Sequence, residues 1–176
     1  MSGLWLGSWF RYATGTRLAP FVPTPQHIVS RMLALASCRS GDILCDVGSG
    51  DGRLLIAAAR LGASGFGYEL NSRLVKKSRA AIESAGFAAS LVVHEEDALK
   101  ADLSDASLVS LFVSDTGNAA MLPTLARAAA KRRATGAAPA RVVTFHFEMP
   151  PPMRQTAMQS VDGTKIYVYT LDEPPA

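Results

Sequence analysis

Asp46-Val47-Gly48-Ser49-Gly50-Asp51-Gly52-Arg53 is the stretch that decides the fold. It follows a short apolar run, Asp-Ile-Leu-Cys-Asp-Val at 42–47, that reads as a strand. It leads into Arg-Leu-Leu-Ile-Ala-Ala-Ala-Arg-Leu at 53–61, which reads as a buried helix closed by Gly62. Gly48, Gly50 and Gly52 let the backbone turn sharply and approach a ligand with no Cβ in the way. The amides that open the following helix face the same space. Strand, bare turn and helix in this order form the ligand-binding corner of a doubly wound sheet, outside the carboxyl ends of its strands.

Working outward, the same alternation continues. Upstream, Thr24-Pro25 reads as an N-cap followed by proline at the first helical position, with Ile28, Val29, Met32, Leu33, Leu35 and Ala36 as an apolar face. Downstream, 65–70 reads as a second strand. Asn71 caps a helix that Gly86 stops, and 90–94 reads as a third strand. Further strands are expected at 108–113 and 141–147, with a helix at 123–133 between them. Asp162-Gly163 between 156–161 and 165–171 is a hairpin signal. The predicted fold class is therefore α/β: a doubly wound, mostly parallel sheet with helices on both faces and a C-terminal antiparallel hairpin strand.

The spacing narrows the ligand. A dinucleotide fingerprint, Gly-x-Gly-x-x-Gly counted from Gly48, would need glycine at 53, where Arg53 stands. No Gly-Lys-Ser/Thr occurs for a nucleoside triphosphate. Asp46 would repel a pyrophosphate and favour a ligand with a cationic centre. Glu69, followed by Leu70, ends the second strand at the offset where an acid holds ribose hydroxyls. Asp97, followed by Ala98, ends the third strand, where a carboxylate can accept from an adenine amino group. Close-approach loop, ribose acceptor and adenine acceptor thus fall on three successive strand ends.

Asp-Val-Gly-Ser-Gly-Asp-Gly, the downstream Gly-Tyr-Glu-Leu-Asn and the Asp97-Ala98 pair resemble the class I S-adenosylmethionine-dependent methyltransferases, whose fold is Rossmann-like. With Pro20-Phe21-Val22-Pro23-Thr24-Pro25 upstream, the chain is most similar to small protein-lysine methyltransferases that modify adenine nucleotide translocase and the ATP synthase c-subunit. The resemblance is good over roughly residues 20–100 and loose over 141–171. It implies S-adenosylmethionine as cofactor and a protein lysine as acceptor. Residues 46–52, with Asp46, Gly48, Ser49, Gly50 and Gly52, would surround its methionine moiety. Glu69 and Leu70 would hold its ribose, and Asp97 and Ala98 its adenine. The loop with Thr24 and Pro25 would fold over it. After the fourth strand, many amino- and adenine-methyltransferases carry Asn/Asp-Pro-Pro-Tyr/Phe. Here Ser114-Asp115-Thr116-Gly117-Asn118 stands instead, which argues against DNA adenine methylation. Asp115 is the candidate catalytic base, with a turn or cap residue as the plain alternative. His146 and Glu148 are weaker candidates. Methylation of RNA or a small molecule, and a non-catalytic assembly subunit of the same fold, are the alternatives.

Composition bounds the rest. The 176 residues are 48% hydrophobic and 19% charged, which excludes global disorder and suits one core. Two cysteines and three histidines give neither a disulfide framework nor a metal-ligand spacing, so no metal is expected. Residues 1–41 hold Arg11, Arg17, Arg31 and Arg39 and no acid, so the net charge of +3 sits at the N-terminus and gives no strong nucleic-acid signal. Residues 1–23, with Trp5, Trp9, Phe10, Tyr12 and Phe21, read as an N-terminal arm that packs on the core, lies on a membrane surface or serves mitochondrial targeting. Residues 24–173 read as a single methyltransferase domain. The expected location is mitochondrial or cytoplasmic.

Overall fold

Residues 21–171 are described by a computed structural model. Residues 1–20, the greater part of the arm read over 1–23, and the tail over 172–176 lie outside the described residues, and with them most of the aromatic and arginine residues on which a targeting or membrane-surface role would rest.

In chain order the elements are α1 (Gln26–Leu35), β1 (Ile43–Val47), α2 (Arg53–Ala59), β2 (Ser64–Tyr68), α3 (Ser72–Ser84) and β3 (Leu91–His94). A 3-10 turn (Ala98–Lys100), β4 (Leu108–Leu111), α4 (Asp115–Ala134), β5 (Ala140–Phe145), β6 (Arg154–Val161) and β7 (Thr164–Leu171) follow. One seven-stranded sheet has the order β3-β2-β1-β4-β5-β7-β6. β1 to β5 pair in parallel, and β7 is antiparallel to both of its neighbours.

Alternation along the strands builds a core on each face. Leu44, Leu108, Val143, Phe145, Ile166 and Val168 pack with α1, α2 and α3 through Met32, Leu55, Val75 and Ile82. Cys45, Val109, Val142, Tyr167 and Tyr169 point the other way and pack with Met121, Leu125 and Ala128 of α4. Period-two patterning within buried strands is what places helices on both faces.

The connections position the site. From β1 the chain winds outward through β2 to β3, then returns to place β4 on the other flank of β1 and continues to β5. The winding reverses between β1 and β4. Crossovers leave these two strands in opposite directions, so a crevice opens beyond their carboxyl ends. Asp46 and Ser110 are register partners across that pair.

Several sequence expectations are corrected. Pro25, not Thr24, is the N-cap of α1: its extended backbone (ψ 144°) leaves its carbonyl to accept from Ile28 and Val29, both at 3.0 Å. The Thr24 carbonyl is drawn to Arg53 instead. Helix α4 starts at 115, not 123, because Ser114 caps it, its Oγ accepting from the Gly117 amide at 3.0 Å. Pro123 lies inside that helix, where proline normally disrupts. Pro123 and Ala119, whose carbonyl lacks the usual partner, both face solvent, so water can serve that carbonyl. The C-terminal hairpin adds two strands to the sheet rather than one. β7 is the antiparallel strand expected, and β6 lies outside it. The hairpin turn is as read: Asp162 and Gly163 both have positive φ, 51° and 75°.

The opposite end of the sheet is clamped by Asp42. Its carboxylate accepts from the Arg39 amide at 2.9 Å, from Ser107 Oγ at 2.7 Å and from the Arg141 guanidinium. Arg141 also donates to the carbonyls of Ala36 and Ser37, both at 2.7 Å. The end of α1 and the starts of β1 and β5 are joined in this way. Burial acts to raise the Asp42 pKa, but the hydrogen bonds from Arg141, Ser107 and Arg39 outweigh it and hold the carboxyl below its usual range. The resulting stability is present above the ordinary carboxylate pKa and is lost as pH falls through the lowered folded value. Asp42→Asn leaves Arg141 uncompensated and is expected to cost about 3 kcal/mol, read as a lower denaturation midpoint at neutral pH. The difference from the unsubstituted protein should shrink on acidification.

Candidate cofactor site

The loop between β1 and α2 makes its bend with Gly48, Gly50 and Gly52 all at positive φ, 72°, 56° and 79°. Side chains rarely adopt that conformation, which is the reason for glycine at alternate positions. The loop amides are largely consumed internally. Gly48 and Ser49 donate to the Tyr68 carbonyl (2.9 and 3.0 Å), Gly52 donates to the Ser49 carbonyl (2.9 Å), and Gly50 donates to Glu69 Oε2 (3.0 Å). A phosphate cradle needs such amides pointing at the ligand. Here four of the loop amides are already used within the protein, and Asp46 and Asp51 stand among the lining residues.

A cavity of about 400 Å³ lies over the loop. Five carboxylates line it: Asp46, Asp51, Glu69, Glu96 and Asp97. Asp46 is 6% exposed. Burial pushes its pKa up to about 7; the Ser110 hydroxyl hydrogen bond opposes the rise, and the charges of Glu69 and Asp51 add to it. A cation brought into the cavity would favour the ionised form. Glu69 spans two elements, its Oε1 accepting from the Asn71 amide at 2.8 Å at the entrance to α3. Asp97 caps the 3-10 turn, with Oδ1 accepting from the Leu99 amide at 3.0 Å. Asp51 is bound at both oxygens by Arg53, Nε to Oδ1 at 2.8 Å and Nη2 to Oδ2 at 2.6 Å, and by Lys77 at 3.3 Å. The Arg53 hydrogen bonds are the main cause that lowers the Asp51 pKa to about 2.

Of the residues singled out from sequence, Thr24, Asp46, Gly48, Ser49, Gly50, Glu69, Leu70, Asp97 and Ala98 line this one cavity. Pro25 and Gly52 are not among the lining residues. Gly52 serves packing: a Cβ there would lie 2.3 Å from Ser78 Oγ of α3. Asp115 is exposed in the first turn of α4 and is not among the lining residues. Sequence reasoning missed Tyr68, Leu74, Ser110, Phe112 and Val113, which also line the cavity. The spacing after β4 could have suggested Phe112 and Val113, since they extend the strand beside β1. Among the described residues, no group of three His, Cys, Asp or Glu side chains could hold a metal ion. No described helix is long and apolar enough to cross a membrane.

These residues fit S-adenosylmethionine. The carboxylates suit a ligand bearing ammonium, sulfonium and hydroxyl groups. The cavity also has apolar walls in Leu70, Leu74 and Val113 for a nucleoside. A Cβ on Gly48 would project to 3.9 Å from Val113 Cγ1, across the crevice that the bare backbone leaves open.

The family model for the ANTKMT methyltransferase domain matches residues 46–156, starting at Asp46 itself. The chain belongs to this methyltransferase family. It is 30% identical over 159 residues to a protein-lysine N-methyltransferase of Saccharolobus islandicus, covering 88% of this chain and 94% of that one. It is 39% identical over 93 residues to the human lysine N-methyltransferase of the ATP synthase c-subunit, covering 53% of this chain and 40% of that protein. Among solved structures, an RNA methyltransferase from Salinibacter ruber in complex with S-adenosyl-L-homocysteine superposes with a TM-score of 0.79 at 35% identity, covering 88% of this chain and 97% of that one. The chain is an S-adenosylmethionine-dependent methyltransferase with the Rossmann-like fold of that class. The methyltransferase family match ends at Thr156, within β6, so it takes in the switch point and every carboxylate of the cavity.

Proposed function

We propose that this methyltransferase transfers a methyl group to the ε-amino group of a lysine in a protein. The observation that carries the reading is the sign of the site. Among the described residues, five carboxylates line the cavity, and the one cation, Arg53, is paired to Asp51. Such a field draws an ammonium-bearing side chain and repels a phosphate backbone. The lysine methyltransferases similar to this chain support the same acceptor class.

In this reading residues 46–52 hold the methionine part of the cofactor, with Asp46 facing its positive charge. Glu69, beside Leu70, accepts from the ribose hydroxyls, and Asp97 with Ala98 borders the adenine. Thr24 and Pro25 belong to the segment that closes over it. When bound, S-adenosylmethionine supplies a methyl group activated on a sulfonium sulfur, so the chain's own work is positioning and exclusion of water. The acceptor amine must be neutral to attack. Burial beside the cofactor lowers a lysine pKa, and Asp115, exposed at the start of α4, is the carboxylate we propose to receive the proton. Relatives named for the ATP synthase c-subunit favour a mitochondrial setting, while the archaeal relative shows that the family is not confined to it.

The Salinibacter relative, described as an RNA methyltransferase, supplies the competing acceptor. Incubation with cofactor labelled in its methyl group and with cell extract separates the two. Label that is removed by protease and recovered as methyl-lysine is the expected result. Label removed by ribonuclease would overturn the lysine reading.

A further inference from the structure

Arg53 does more than neutralise Asp51. Its third nitrogen, Nη1, donates to the Thr24 carbonyl at 2.9 Å, twenty-nine residues earlier in the chain. Thr24 ends the segment 21–24 that forms one wall of the cavity. Phe21, at the far end of that segment, lies directly on the loop: a Cβ on Gly50 would meet its ring at 2.5 Å. The segment is thus fastened at Thr24 by a guanidinium and rests at Phe21 on bare backbone. Phe21 is 45% exposed, so its ring is reachable by a substitution that leaves the buried core untouched. A free guanidinium beside a site for a cationic ligand would oppose binding. Here both of its other nitrogens are held by the buried Asp51, which Lys77 of α3 also contacts.

We propose that Arg53 is a positioning residue that fastens the segment 21–24 over the cofactor loop and thereby sets how long the cofactor stays bound. The inference rests on the methyltransferase reading but not on the identity of the acceptor. Arg53 suits the task because its planar fork can satisfy Asp51 with two nitrogens and Thr24 with the third. Lysine carries the same charge, but its three donors sit on one nitrogen and do not reproduce the spread of the fork.

The test is binding of S-adenosylhomocysteine to the full chain, with dissociation followed by stopped flow. Arg53→Met and Phe21→Ala should each speed dissociation roughly tenfold with a much smaller change in association. The double variant should be no worse than the more affected single, because both act through one segment. Arg53→Lys should behave like Arg53→Met. In the ligand-free protein, amide exchange over residues 21–29 should rise in both Arg53 variants. In turnover, the larger change should fall on KM for the cofactor rather than on kcat. Phe21→Ala removes an exposed ring and keeps the test valid if Arg53→Met lowers the melting temperature. Additive losses, full rescue by lysine, or unchanged dissociation would overturn the proposal. Absence of binding by the unsubstituted protein would overturn it together with the methyltransferase reading.

Discussion

Asp46→Asn is expected to weaken S-adenosylmethionine binding roughly a hundredfold at about pH 8, while making the ligand-free protein more stable. Both effects come from one buried carboxyl. Its pKa in the folded protein stands at about 7, against 3.8 for the unperturbed group, chiefly because of burial. Between these two values the folded chain holds a proton that the unfolded chain has released. Stability therefore falls as pH rises through this interval and stays low above it. Asparagine keeps the shape and carries no charge, so the variant gains on the order of 2–4 kcal/mol over the parent above about pH 7. Below about pH 4 the two should converge. Denaturant titrations at several pH values measure this. Cofactor binding has the opposite pH dependence. A cationic ligand requires the carboxylate, so affinity in the parent should fall as pH is lowered through about 7. Binding near pH 6 should release a proton, visible by calorimetry in buffers of different ionisation enthalpy. A variant that binds as tightly as the parent would show that Asp46 does not face the cofactor's charge.

Gly67→Ala is expected to destabilise the protein by about 2–3 kcal/mol and to weaken cofactor binding roughly tenfold or more. Gly67 is in β2, and φ is not the difficulty there. A Cβ would lie 2.5 Å from Ser49 Cβ, 2.7 Å from Ser49 Oγ and 2.9 Å from Leu55 Cδ1. Ser49 belongs to the cofactor loop, and its buried Oγ has no hydrogen-bond partner among the described residues. An added methyl group must therefore move either the loop or the start of α2. Removing the obstacle should reverse much of the damage. Ser49→Gly combined with Gly67→Ala is expected to recover roughly half of the lost stability, a coupling that sites without contact would not show. Urea denaturation of the two single variants and the double variant measures it. Strict additivity would mean that the strain lies elsewhere.

The site was legible wherever local chemistry sufficed. Alternate glycines mark a bend whatever surrounds them, and all three adopt the left-handed conformation that spacing implied. An acid at or just past the end of each of three successive strands is a one-dimensional pattern. Parallel strands in register bring such residues to one edge, and Asp46, Glu69 and Asp97 do line one cavity. Local signals misled where a long-range partner competed. Thr24 reads as a cap, but its carbonyl is claimed by Arg53. Pro123 reads as a helix start, but Ser114 had already capped the helix nine residues earlier, and solvent exposure lets the proline stay inside it.

What the sequence determined by itself was the alternation of strand and helix, the bend at 48–52, and the acceptor character of the strand ends. These depend on periodicity and on residue type at fixed spacing, which act over a few residues. Only the tertiary structure decided the reversal of winding between β1 and β4, the pairing of Ser110 with Asp46, and the wall that Phe21, Phe112 and Val113 add. It also decided the charge on Asp46, because a carboxyl's pKa is set by what excludes water from it and which groups stand near, and here those include Glu69 and Ser110 from other segments of the chain as well as Asp51 of its own loop.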